Sequence, residues 1–307
     1  MMRRATPAGV RSRWSEISRQ TQQNATDGTE PEKTRLVLSF PNRSADKRTS
    51  DMKHLFQNRN GSVMSAQPQP PDNRSDQATE GAEGVLFALA LAVEQRDNVT
   101  SGHCERLAVT GLALGMSLSL DRPSLLGLYR GGYLHDVGKV GIPDAILLKP
   151  GKLTPQEWEI MRSHPTRGVE ICQHLDSLAP VLPIIRHHHE RWDGSGYPDG
   201  LKGEEIPLLA RILQIVDIYD ALTNARSYKS AFTPKAALRI MEEETARGWR
   251  DPVLMERFFS LHNDVILKVV EQSRRADRSL AALGKSLTNV DHMIQPLARV
   301  AGLDLPA

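Results

Sequence analysis

Only two cysteines, Cys104 and Cys172, occur in the 307 residues, and no CxxC spacing accompanies them. A disulfide framework and a thiolate zinc site are therefore not expected, and the pair fits a reducing compartment. No apolar run reaches the ~18 residues that a membrane helix needs, and the longest, Val85 to Val93, falls far short. Charge of one sign is also lacking. A net charge of +2 gives no field strong enough to gather a nucleic acid polymer or a membrane surface. Arg3 and Arg4 are followed by no apolar stretch, so a secretory signal is not expected and a cytoplasmic setting is. Strand-length alternation of apolar and polar residues is missing as well, which leaves an all-α fold of seven or more helices.

Residues 1–80 are rich in Arg, Ser, Thr, Gln, Asn and Pro, with Leu36–Phe40 as a lone apolar island. Such a stretch buries too little apolar area to offset roughly 1–2 kcal/mol per ordered residue, so it reads as a disordered tail. Order is expected from Gly81, with a domain over 81–262. Leu86, Leu89 and Val93 share one helical face, and Leu125, Leu128 and Gly132 share another that ends at His135. Thr154-Pro155-Gln156-Glu157 reads as an N-cap, an N1 proline and a capping-box glutamate. Thr233-Pro234 and Asp251-Pro252 repeat the cap and proline, and Gly248 can close the helix begun at Pro234. Residues 263–307 form a C-terminal helical extension. Ile266, Leu280, Leu287 and Ile294 fit one heptad position, and Val269, Leu283 and Val290 another. Packing on its own domain and pairing in a homodimer both satisfy that pattern.

Seven of the ten histidines lie between positions 103 and 189. A lone histidine is ordinarily a core or surface residue, but these sit beside acids and glycines. His103 follows a helix start at Thr100-Ser101-Gly102. His135-Asp136 ends an apolar helix, and His164 belongs to the helix capped by Thr154. His187, His188 and His189 end another apolar helix, pointing about 100° apart, so two can converge on a cluster while the third faces elsewhere. Asp217 sits in the apolar run Ala210 to Ala221, where an ionised carboxylate is costly unless paired or metal-bound. A salt bridge to Arg211 is the plainer alternative. Mixed His and carboxylate ligation suits Fe, Mn, Zn or Ni rather than Ca or Mg. A carboxylate has two oxygens, so Asp136 can bridge two ions, and paired metals clamp the attacking and leaving oxygens of a displacement at phosphorus.

Taken in order, three blocks resemble the HD-GYP family of the wider HD phosphohydrolase superfamily. They are His135-Asp136-Val137-Gly138-Lys139 with its continuation to Thr154, then His188 to Pro198 (HHERWDGSGYP), and Arg211 to Arg226 (RILQIVDIYDALTNAR). The resemblance covers residues 84–260 and implies an all-α, HD-type metal-binding bundle. It implies hydrolysis of cyclic di-GMP to pGpG and then GMP, with iron or manganese at the centre. Position by position, it implies His103, His135, Asp136 and Asp217 as ligands of one ion. For the second ion it implies His164, His188 and His189, with Asp136 as the bridge. His187 falls outside the motif. Lys139 matches the motif lysine, expected to stabilise charge at the phosphoryl oxygens. Arg226 and Lys229 match positions that hold the substrate phosphates, where the planar fork of an arginine suits bidentate contact. The Gly194–Pro198 loop is linked in the family to contacts with GGDEF-type partners.

One departure bears on the metal count. Some family members carry a glutamate four residues before the first histidine for a third metal, and here that position is Val99. Two divalent ions are therefore expected, with Asp97 a weak candidate to compensate. Two other readings remain at this point. One keeps the chemistry and changes the substrate to another cyclic dinucleotide or a nucleotide. The other is a low-activity adaptor that binds partners through the Gly194–Pro198 loop.

Overall fold

The computed structural model describes residues 73–97, 102–225, 230–273 and 291–302. The expected tail up to residue 72, the Leu36–Phe40 island, Val99, Arg226, Lys229 and heptad positions Leu280 to Val290 lie outside the described residues. Among those described, the elements are helical and no strand occurs. No helix among them is long and apolar enough to cross a membrane.

Helix α1 (Asn73–Arg96) begins inside the stretch that composition assigns to the tail. Its buried face is Glu83, Phe87, Ala90, Val93 and Glu94, with Leu86 and Leu89 packed at the edge of the core. The buried stripe is thus rotated by one residue from the Leu86–Leu89 line. The rotation lets Glu83 reach Arg130 at 3.0 Å and Phe87 meet Tyr133 edge to face.

Helix α2 (His103–Ser117) is the central helix, with every residue from His103 to Met116 buried. A helix that is apolar all round in its middle must be wrapped on all sides. Helix α3 (Arg122–Leu134) packs along it, with Leu125 and Leu128 fully buried as the stripe predicts. At Gly132 a Cβ would lie 2.6 Å from the backbone nitrogen of Ala108, so glycine there lets α2 and α3 touch backbone to backbone.

A 3-10 turn (Val137–Gly141) follows α3, and then α4 (Asp144–Leu147), α5 (Pro155–Met161), α6 (His164–Cys172) and α7 (Leu182–His187). Thr154 caps α5 with the expected reciprocal box, accepting from the Glu157 N–H at 3.3 Å while Glu157 accepts from the Thr154 N–H at 2.7 Å. Helix α8 (Leu208–Thr223) crosses α2 and α3 and buries Ile212, Leu213, Ile215 and Val216. Helices α9 (Pro234–Ala246) and α10 (Pro252–Leu261) start at Thr233 and Asp251, whose side chains accept from backbone N–H groups as expected. Gly248, at φ 84°, follows the end of α9.

A π-turn (His262–Ile266) leads into α11 (Leu267–Ser273), and α12 (Asp291–Ala301) closes the described chain. Both pack on α2. Ile266, Val269 and Ile294 are buried in the chain's own core, beside Leu297 and Ala298. The heptad residues described here are therefore used within the chain.

Candidate metal centre

Helix ends and one helix middle converge on a single place. His103 opens α2, His135 and Asp136 follow α3, His164 opens α6, His188 and His189 follow α7, and Asp217 projects from the middle of α8. His164 does not lie in the helix capped by Thr154, as the sequence suggests. That helix stops at Met161 and a new one starts at His164. Pro165 is the physical reason: it offers no N–H to the Met161 carbonyl four residues back, so the helix cannot run through it, whereas a proline is tolerated in the first turn of a new helix. The approach of α6 to the 3-10 turn is close. A Cβ at Gly138 would run into the His164 carbonyl oxygen and the Gly168 backbone nitrogen.

The same device orients three of the imidazoles. The Nδ1 of His135 lies 3.0 Å from the Gly132 carbonyl, that of His164 2.8 Å from Met161, and that of His188 2.8 Å from Ile185. Each partner is the carbonyl three residues back, in a final helical turn whose carbonyls have no intrahelical N–H. A carbonyl only accepts, so each Nδ1 carries the proton and each Nε2 presents a lone pair. A fourth ring, His103, is held by a carboxylate instead: its Nδ1 donates to Asp220 Oδ2 at 2.7 Å.

The four Nε2 atoms face the cluster. His135 Nε2 is 3.2 Å from Asp136 Oδ2, and His164 Nε2 is 3.2 Å from Asp136 Oδ1. His188 Nε2 is 3.8 Å from Asp136 Oδ1 and 3.4 Å from His164 Nε2, and His103 Nε2 is 3.7 Å from Asp217 Oδ1. These are lone pairs facing lone pairs. Buried His135 Nε2 and Asp136 Oδ1 have no hydrogen-bond partner. A cation held between them would satisfy such an arrangement. Burial, reinforced by the neighbouring rings, pushes His188 below the ordinary imidazole range and His189 well below it. Protons are thus poor candidates there, and neutral imidazoles are what a metal needs. For His135 burial acts the same way, but the Asp136 and Asp217 carboxylates outweigh it and raise its pKa.

Donor atoms within 4.8 Å of one another form two groups, one of Asp136, His164, His188 and His189, the other of His103, His135 and Asp217. Asp136 stands between them, with Oδ1 toward one group and Oδ2 toward the other. The residue set fits two divalent ions. Burial works against ionisation of Asp136, yet the Lys139 ammonium and His135 hold its carboxyl well below the usual range. Lys139 Nζ lies 2.8 Å from Asp136 Oδ2 and 2.6 Å from Asp97 Oδ2. Asp97 is thus engaged with the lysine. Arg211 pairs with Asp251 at 2.6 Å, so the salt-bridge alternative for Asp217 does not form.

His187, set aside by the sequence, points to Asp199, with Nε2 2.9 Å from Oδ2. Arg186 grips the same carboxylate with two contacts of 2.7 Å, and these bonds lower the Asp199 pKa to about 2. A depressed folded-state pKa contributes stability that is complete above the unfolded value of 3.8 and is lost as pH falls toward about 2. Asp199→Asn should flatten the stability profile across that acid window, lowering stability at neutral pH and converging on wild type near pH 2, as read by urea denaturation at stepped pH.

Sequence reasoning missed two acids. Asp220 orients His103 and takes Arg106 at 2.5 and 3.0 Å, a buried carboxylate–histidine pair of the kind that fixes a metal ligand. Glu190, fully buried, accepts from the N–H groups of Asp199 and Gly200 at 2.7 and 3.0 Å and so anchors the far end of the Gly194–Pro198 loop. Tyr197 of that loop stacks on His189 with ring centres 4.9 Å apart. The signal for Asp220 was present: a second acid three residues after Asp217, in the same apolar run.

A family model described as HD domain matches residues 88–254. Among curated proteins, the chain is 41% identical over 174 residues to a cyclic di-GMP phosphodiesterase response regulator of Xanthomonas campestris, a match that covers 56% of this chain and 46% of that one. It is 40% identical over 197 residues to a cyclic di-GMP phosphodiesterase of Vibrio cholerae, covering 59% and 40%. A 3'3'-cGAMP-specific phosphodiesterase of the same organism is 41% identical over 181 residues, covering 58% and 34%. The matches thus span less than half the length of these relatives. The matched region contains all seven histidines and aspartates of the two donor groups and, with them, the His135-Asp136 pair. By its motifs, its helical fold and this match, the chain belongs to the HD domain family.

Proposed function

We propose that this chain is a metal-dependent phosphodiesterase that hydrolyses cyclic di-GMP to pGpG or GMP. The observation that carries the reading is the two donor groups with Asp136 between them, Oδ1 toward His164 and Oδ2 toward His135, and the Lys139 ammonium beside that carboxylate. His103, His135 and Asp217 would hold one ion and His164, His188 and His189 the other, with Asp136 shared. Iron or manganese suits this nitrogen and oxygen donor set. When bound, the ions supply Lewis-acid charge to the phosphate and make water a nucleophile near neutral pH.

The chain's own groups do the rest. Lys139 is kept charged: burial opposes this, but Asp136 and Asp97 raise its pKa above the ordinary lysine range. A fixed cation beside a reacting phosphate stabilises the charge that develops on its oxygens. Arg226 and Lys229 are assigned to the substrate phosphates. Arg162, exposed and seated over Tyr197 at 5.4 Å, adds positive charge on the outer side of the ring that stacks on His189. The Gly194–Pro198 loop is the surface assigned to a GGDEF-type partner. Two buried free cysteines suit the reducing cytoplasm, where such a signalling enzyme would work.

A second substrate has specific support, since 3'3'-cGAMP-specific enzymes match as well as cyclic di-GMP enzymes do. The deciding experiment is anaerobic purification with metal analysis, then turnover of cyclic di-GMP and 3'3'-cGAMP with product chromatography. Cyclic di-GMP is expected to have the higher kcat/KM by at least ~10-fold, about 1.4 kcal/mol of discrimination. Preference for 3'3'-cGAMP would replace the substrate and keep the chemistry. Two bound ions with no turnover of either would favour the adaptor.

A further inference from the structure

The last turn of α1 carries charged residues that metal ligation leaves unused. Glu94, buried, accepts from the His103 N–H at 2.6 Å and so fixes the first residue of α2, a donor of the metal centre. Arg96 donates to the carbonyls of Lys139 at 3.1 Å, Val140 at 3.3 Å and Ile142 at 2.5 Å, and to Asp144 at 2.8 Å. It pins the 3-10 turn from outside. Asp97 takes the Lys139 ammonium at 2.6 Å. Glu94, Asp97, His103, Cys104, Asp136 and Lys139 all line one small cavity.

A lysine next to a cation site presents a problem of charge. Lys139 shares Asp136 with the ions, and an ammonium there repels them and competes for the same carboxylate. Asp97 offsets that charge and holds the ammonium from its other side. The anchor is rigid because Arg96, the preceding residue, ties the same turn of α1 to the segment that carries Lys139.

We propose that Asp97 is a positioning residue of the metal centre, acting through Lys139, and that metal occupancy and the order of the last turn of α1 are coupled. This rests on the metal-centre reading above. Linkage makes the coupling reciprocal: what loosens that turn weakens metal binding, and metal binding tightens the turn.

The test uses the full chain, stripped of metal and titrated with Mn(II) alone. Four forms are compared: wild type, Asp97→Asn, Lys139→Met and the double variant. Amide exchange across residues 93–97 is followed with and without Mn(II). Wild type should take up two ions. Asp97→Asn should bind them about 10–100-fold more weakly, the usual cost of losing a partner outside the ligand sphere. In the Lys139→Met background the same substitution should cost less than ~3-fold, because the charge it offsets is gone. Amides at the end of α1 should exchange more slowly in the Mn(II) form. A role in folding alone would not make the cost of Asp97→Asn depend on Lys139. The proposal is overturned if Asp97→Asn titrates like wild type, if its cost is the same with and without Lys139, or if Mn(II) leaves exchange at the end of α1 unchanged. Wild type that binds no Mn(II) would instead sink the metal-centre reading and this inference with it.

Discussion

Asp136→Ala should release both metal ions and bring phosphodiesterase turnover to background, the largest loss expected of any single substitution. Asp136 faces His164 and His188 through Oδ1 and His135 and Lys139 through Oδ2, so its removal takes a donor from each group at once. His135, His164 and His188 would remain aimed by their carbonyl partners, but with no anion between them. The fold should survive, since the orienting bonds come from backbone that Asp136 does not hold. Metal-dependent stabilisation gives a second readout. An ion that binds only the folded chain adds about 2.7 kcal/mol at 100 times its Kd. Wild type should therefore show a clear rise in Tm with Mn(II), and Asp136→Ala should show none. Two ions per chain retained in Asp136→Ala, with full turnover, would show that the centre lies elsewhere.

The sequence carried much of this because the relevant signals are local. Thr154, Thr233 and Asp251 cap helices through bonds to residues two or three positions on, so their roles are readable from a few letters. The histidines stood out because each lies beside an acid, a glycine or a helix boundary. What could not be read depends on residues far apart in the chain. Glu94 meets His103 from nine positions away, Asp97 meets Lys139 from 42, and Asp220 meets Arg106 from 114. Periodicity says which face of a helix is apolar, but not which polar group a neighbouring helix presents to it. The break between Met161 and His164 is legible in Pro165, although the capping box upstream suggests a single helix. That break matters to the site, since it frees the Met161 carbonyl that orients His164.

Asp220 offers the sharpest separation of stability from metal binding. Its carboxylate accepts from His103 Nδ1, from Arg106 and from Asn224 Nδ2, all at a buried position. Burial works against its ionisation, but His103 and Arg106 prevail and hold its pKa below the ordinary value. Asp220→Ala should therefore act twice. Removing one member of a buried ion pair costs roughly 3–5 kcal/mol, and here the buried Arg106 guanidinium loses both of its contacts to the Asp220 carboxylate. Loss of the group that orients a metal-binding histidine costs about 10–100-fold in metal affinity. The double variant Arg106→Leu/Asp220→Leu separates the two effects. Apolar residues in place of a buried pair are often neutral for stability, so thermal unfolding of the double variant should return most of the way to wild type. Its Mn(II) affinity should not recover, because nothing then fixes the His103 tautomer with Nε2 toward Asp217. If affinity returned along with stability, Asp220 would be a folding residue only, and His103 would be oriented by Glu94 and the start of α2 alone.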